Sequence, residues 1–85
     1  MRGRMIKKVT RSSTFIKQTK HLDKFLLGKL KQQIQKIFDN PEVGKHLKYK
    51  RNERCLYVWP FRLIYSVRDD ELILLKFEHR KKVYK

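Results

Sequence analysis

Apolar residues recur along this chain at two different periods, and the change of period divides it in two. In "KFLLGKLKQQIQKIFDN", Leu26, Leu30, Ile34, Ile37 and Phe38 fall at helical spacing and form one stripe. Lys29, Lys31, Gln32, Gln35 and Lys36 lie off that stripe, toward solvent. Asp23 stands where a helix N-cap accepts a hydrogen bond from an orphan backbone N–H, and Pro41 stops the helix. Ser12 or Ser13 caps a shorter helix whose inner face is Phe15, Ile16 and Leu22. The link between the two is so short that a helical hairpin is expected. Gly28 costs the longer helix about 1 kcal/mol relative to alanine, which points to close packing there.

The second half changes character. "CLYVW", "FRLIYSV" and "ELILLKF" are rich in branched and aromatic residues, as strands require. Pro60 and "RDDE" (Arg68 to Glu71) mark turns between them, so the three runs predict an antiparallel meander. "PEVGKHLKYKRNER" reads as a polar connector, and Met5 to Thr10 as a short first strand at an edge of the sheet or beside the last strand. The fold class is α+β: an N-terminal strand, a helical hairpin, then a three-stranded antiparallel meander forming a curved sheet, with the hairpin on one face. One domain over residues 1–85 is expected.

Strand alternation then sorts the side chains by face. Phe61, Leu63, Tyr65 and Val67 share one side, and Arg62, Ile64, Ser66 and Arg68 the other. Continuous alternation in the last strand makes Ile73, Leu75 and Phe77 the core set and turns Lys76, Glu78 and Arg80 outward. Two helices cover only one face of so small a sheet. Arg62 and Arg80 are therefore expected on the same uncovered side of neighbouring strands.

Charge sharpens this picture. Twenty-three Lys and Arg oppose eight Asp and Glu, a net of +15. Such an excess attracts polyanions through counterion release, with nucleic acid first, an acidic protein second and an anionic membrane surface third. No segment is long and apolar enough to span a bilayer, and "MRGRMIKK" lacks the apolar stretch of a signal peptide. Cys55 is the only cysteine, which rules out an intramolecular disulfide and fits a reducing cytoplasm. It reads as a small buried hydrophobe. His21, His46, His79 and Cys55 show no metal-ligand spacing, and no cofactor is expected.

Taken singly, an arginine on an open sheet face is a solvated charge, His79 a surface histidine and Tyr84 a packing residue. Together they suggest a site. Guanidinium groups hold phosphate through paired, charge-assisted hydrogen bonds, and a tyrosine four residues after Arg80 offers a surface for a base.

The order of "IFDNPEVGKHLK", "FRLIYSV", "ELILLKF" and "HRKKVYK" resembles the RelE family of the RelE/ParE toxin superfamily, from about Met5 to Lys85. That resemblance implies a ribosome-dependent endoribonuclease, the toxin of a toxin–antitoxin pair, cutting mRNA in the ribosomal A site. The reaction it implies needs no metal: a 2′-hydroxyl attacks the adjacent phosphorus and expels the next 5′-oxygen. Arg62 and Arg80 would stabilise charge on that phosphate, and Tyr84 would stack on a base and share in proton transfer. His79 is a proton-transfer candidate by type, because imidazole titrates near neutrality, and Glu53 or a lysine of "KYKRNER" is a candidate for its counterpart. Lys48, Lys50, Arg51, Arg54, Lys81 and Lys82 would grip RNA.

The implied partners are mRNA with ribosomal RNA, and a RelB-like antitoxin with acidic or amphipathic helices. Three features depart from the family pattern. "CLYVW" carries none of the lysines some members have there, Pro60 replaces a glycine, and the sequence stops one residue after Tyr84, so no extra C-terminal helix is expected. A ParE-like poison of DNA gyrase and a non-catalytic RNA-binding module are the alternatives.

Overall fold

A computed structural model describes residues 5–80. Its elements run β1 (Lys8–Arg11), α1 (Ser13–Thr19), α2 (Lys24–Asp39), β2 (Lys45–Leu47), β3 (Lys50–Val58), β4 (Phe61–Arg68) and β5 (Glu71–His79). The strands form one sheet in the order β1-β5-β4-β3-β2. β1 lies parallel to β5, so the first strand is both at an edge and beside the last strand. All other pairings are antiparallel.

Both helix starts follow the capping chemistry. Ser12 Oγ accepts the Phe15 N–H at 2.9 Å and donates to the Leu75 carbonyl at 2.6 Å, so the cap also ties α1 to β5. Asp23 Oδ1 accepts the Leu26 N–H at 2.8 Å. Phe15, Leu30 and Ile37 then pack on Val58, Leu63, Tyr65, Leu72, Leu74 and Phe77, which form the core. Ile16, expected to point inward, is exposed, while Phe15 is buried and Gln18 accepts the Phe77 N–H of β5 at 2.7 Å.

Four expectations change. The first strand begins at Lys8, not Met5. The polar connector holds β2 and the start of β3, whose pairing needs only backbone groups; charged side chains on such an edge strand discourage pairing with other chains. The antiparallel part of the sheet is thus four strands rather than three. A Cβ built on Gly28 meets nothing within 4 Å, so that glycine serves no close approach.

The fourth change matters most. Ile64 pairs with Lys76 while Tyr65 pairs with Leu74, which leaves Leu75 as an extra residue on β5. This β-bulge reverses the alternation midway along the strand. The buried residues are therefore Leu72, Leu74 and Phe77, not Ile73, Leu75 and Phe77.

The loop from α2 to β2 is held against the sheet by Tyr65. Its hydroxyl donates to the Pro41 carbonyl and accepts the Gly44 N–H, both at 2.9 Å. A Cβ on Gly44 would come within 2.7 Å of that hydroxyl and 2.9 Å of the Cys55 carbonyl, so the close approach requires glycine. Arg54 reinforces the loop by donating to the carbonyls of Glu42 at 3.0 Å and Gly44 at 2.7 Å.

Burial raises the Tyr65 pKa above the ordinary 10.0, and the smaller effects of the Gly44 hydrogen bond and Arg54 do not cancel it. The unfolded chain therefore loses this proton first as pH rises. The stabilisation is complete below about pH 10 and is lost as pH climbs through the folded value. Tyr65→Phe should cost about 1–3 kcal/mol at neutral pH, because it strands a buried N–H and carbonyl. It should also remove this tyrosine's share of the alkaline stability loss, read by urea unfolding at several pH values. Gly28→Ala should stabilise by about 0.5–1 kcal/mol in the same assay, since the added methyl meets no neighbour.

Candidate functional site

The face of the sheet opposite the helices carries the candidate chemistry. Residues paired across adjacent strands share a face. Tyr57 pairs with Arg62, and Arg62 with Glu78, so these three form a row across β3, β4 and β5. Cys55, Ile64 and Lys76 form the next row. Cys55 and Ile64 are buried and floor the site, whereas Lys76 is exposed.

Arg62 Nη2 donates to Glu78 Oε2 at 3.1 Å, with side chains 20% and 19% exposed. Arg62 Nε is buried and has no hydrogen-bond partner. Burial alone would lower the guanidinium pKa. The hydrogen bond and charge of Glu78, helped by Cys55 and Tyr57, outweigh it and place the pKa above the ordinary arginine value. The cation is therefore permanent, oriented by a carboxylate, and left with one unmet donor. Only the fifth of the side chain that stays exposed can meet a phosphate oxygen.

The Arg80 N–H donates to the Pro60 carbonyl at 2.9 Å, which extends the β4–β5 pairing one step. Two residues beyond Glu78, Arg80 follows it onto the Arg62 side. An antiparallel ladder spaces such diagonal positions about 7–8 Å apart. The Arg80 guanidinium lies 4.6 Å from the centre of the Trp59 ring. Trp59 is 63% exposed and Tyr57 is 57% exposed, so two aromatic rings flank the arginines with surface to spare.

Other anticipated residues fall elsewhere. His79 pairs with Phe61, on the helix-covered side of the sheet. Its ring meets the Phe61 ring edge-on at 5.2 Å, and Phe61 stacks on Phe77 at 4.8 Å. The structure thus sets His79 across the sheet from Arg62, because adjacent positions on a strand point oppositely. Glu53 shares the Arg62 face by alternation but lies four residues from Tyr57, about 13 Å along β3.

Arg54 spends its guanidinium on the Glu42 and Gly44 carbonyls and meets His46 Nε2 at 3.0 Å. Lys48 sits over the Tyr49 ring at 5.5 Å in the exposed β2–β3 connection. Lys81, Lys82 and Tyr84 lie outside the described residues, as do the side chains of Lys50 and Arg51. Among the described residues no group of three or more His, Cys, Asp or Glu could hold a metal ion. Likewise, no helix there is long and apolar enough to cross a membrane.

The sequence reading missed Tyr57, Trp59 and Glu78 as site residues. Tyr57 and Trp59 were discoverable from alternation in "CLYVW", but only strand register puts Tyr57 opposite Arg62.

The family model for the ParE toxin of type II toxin–antitoxin systems, parDE, matches residues 9–84. The chain belongs to that family. The toxin's fold recurs in several solved structures. The RelB–RelE antitoxin–toxin complex from Methanococcus jannaschii includes a chain 22% identical, with a TM-score of 0.72, covering 88% of this chain and 94% of that one. YafQ from Escherichia coli strain BL21(DE3) is 21% identical with a TM-score of 0.72, covering 92% and 98%. The YoeB dimer from Staphylococcus aureus gives 18%, 0.72, 91% and 98%. No curated protein matches the toxin's sequence significantly. These likenesses place the toxin in the RelE/ParE superfamily fold, as the resemblance over nearly the whole chain anticipated.

A site with an unmet arginine donor should bind a phosphate backbone with a measurable salt dependence. Arg62→Ala should weaken binding of a non-cleavable 2′-O-methyl oligonucleotide. It should also flatten the plot of log K against log salt by about 0.7, one phosphate contact on a single strand. An unchanged slope by fluorescence anisotropy would remove Arg62 from the phosphate site.

Proposed function

We propose that this toxin is an endoribonuclease that cleaves mRNA in the A site of the ribosome, without a metal, by 2′-hydroxyl attack. The observation that carries this reading is the pairing of Arg62, with its unsatisfied buried Nε, and Arg80 on one open face beside exposed aromatic rings. The fold shared with RelE, YafQ and YoeB supports the same class.

In this mechanism the 2′-oxygen bonds to phosphorus as the bond to the 5′-oxygen breaks. The products carry a 2′,3′-cyclic phosphate and a 5′-hydroxyl. Negative charge grows on the non-bridging oxygens, and fixed cations facing them lower the barrier. Arg62 takes one such oxygen through the exposed part of its guanidinium, with its plane held by Glu78. Arg80 braces the same phosphate or the leaving oxygen. The 2′-hydroxyl proton leaves to a base and returns to the 5′-oxygen. Tyr84 is the family-matched group for that transfer; His79 lies across the sheet from Arg62, against Phe61.

The natural restraint on such an activity is an antitoxin encoded beside the toxin. RelE and YafQ are both found in complexes with antitoxins. A net charge of +15 gives an acidic or amphipathic helix an electrostatic reason to associate. The cytoplasm, where ribosomes and antitoxin are found, is the expected compartment.

The family's ParE designation favours a second reading, inhibition of DNA gyrase by contact. Mapping mRNA 5′ ends by primer extension after induction separates the two. New ends within translated codons are expected, together with inert behaviour toward purified gyrase. Arg62→Ala and Arg80→Ala should each relieve growth arrest and lower cleavage by about 10²–10³-fold. Arg62→Lys should recover only part, because an ammonium cannot replace a planar fork. Full toxicity in both folded alanine variants would defeat the assignment.

A further inference from the structure

Trp59 and Tyr57 are not explained by phosphate chemistry. Both rings are large and more than half exposed; Phe25 and Tyr49 are exposed too, but Tyr57 and Trp59 border Arg62 and Arg80. Trp59 directly follows Val58, the last residue of β3, and Tyr57 is the strand's penultimate residue. The Arg80 guanidinium covers part of the indole at 4.6 Å, yet the ring keeps most of its surface open. Tyr57 stands directly opposite Arg62.

We infer that Trp59 and Tyr57 form a base-stacking platform that seats single-stranded RNA on either side of the phosphate held by Arg62, with Trp59 setting which nucleotide is accepted there. The inference rests on the proposed RNA cleavage and names the part of the site that reads the substrate.

Spacing selects the strand state. Two residues apart in the chain, with Tyr57 on β3 and Trp59 in the turn after it, their Cα atoms lie roughly 5–7 Å from each other, more than the 3.4 Å rise of a stacked nucleic-acid strand. Bases seated on both rings would therefore be unstacked from one another. A duplex does not offer bases in that state, whereas a splayed single strand does. A guanidinium on the indole adds a second layer, so a base on Trp59 would extend a cation–ring–base stack. The larger ring system of a purine overlaps an indole more fully than a pyrimidine does, so a purine preference follows at the Trp59 position.

The test uses the fact that Trp59 is the only tryptophan. Intrinsic fluorescence of the full chain is titrated with 2′-O-methyl oligonucleotides, which cannot be cleaved. A purine-containing oligonucleotide should quench Trp59 and shield it from acrylamide. An abasic oligonucleotide of the same length, and inorganic polyphosphate, should bind by charge with little quenching. Trp59→Leu should weaken purine-oligonucleotide binding about tenfold by anisotropy, while Trp59→Phe should keep most of it.

Equal quenching by polyphosphate, or equal affinity of the leucine variant, would overturn the platform. The two proposals can fail separately. Cleaved mRNA with the same cut-site spectrum in Trp59→Leu would sink the platform and leave the nuclease. Base-dependent quenching without mRNA cleavage would sink the nuclease and leave the platform.

Discussion

One unpaired residue on β5 decides which side of the sheet each half of that strand presents. Leu75 sits between two ladder positions without a partner on β4. Before it, Leu72 and Leu74 point into the core; after it, Phe77 does. With unbroken alternation, keeping Leu72 and Leu74 inside would carry Glu78 and Arg80 under the helices as well. Charges there would have no water and no partner, a cost far beyond what a small core can offset. The bulge lets one strand bury an apolar set over its full length and still deliver Glu78 and Arg80 to Arg62.

The opposite, β2 end of the sheet is held by a different device. Tyr65 reaches out of the core to satisfy Pro41 and Gly44, and Arg54 closes two more carbonyls of the same loop. The two Tyr65 bonds are buried and meet backbone groups that would otherwise go unpaired there. Its fixation positions β2, and β2 protects the edge of β3, the strand that bears Tyr57. The chemistry of the site thus depends on hydrogen bonds made well away from it.

Within the site, the Arg62–Glu78 pair is better understood as a positioning device than as a source of stability. Partly buried ion pairs recover little beyond their desolvation. What the carboxylate supplies is direction: it occupies one edge of the guanidinium and fixes its plane. Under the proposed reading, the net charge of +15 would draw in a polyanion from a distance, and this fixed arrangement would distinguish one phosphate from the next.

Much of this was legible in the residues alone. Caps at Ser12 and Asp23, the apolar stripe of α2 and the turns at Pro60 and Asp69–Asp70 are local chemistry, written within a few positions of where they act. The excess of positive charge, and the placing of Arg62 opposite the core face, also follow from composition and alternation. Tertiary structure alone decided the bulge at Leu75, the pairing of β2, the approach of Tyr65 to Gly44 and the alignment of Tyr57 with Arg62. Tyr57 and Arg62 face each other across a tight hairpin, while the Tyr65 contact joins residues 21 apart. Register comes from turn geometry and core packing acting together, which alternation read within one segment does not contain.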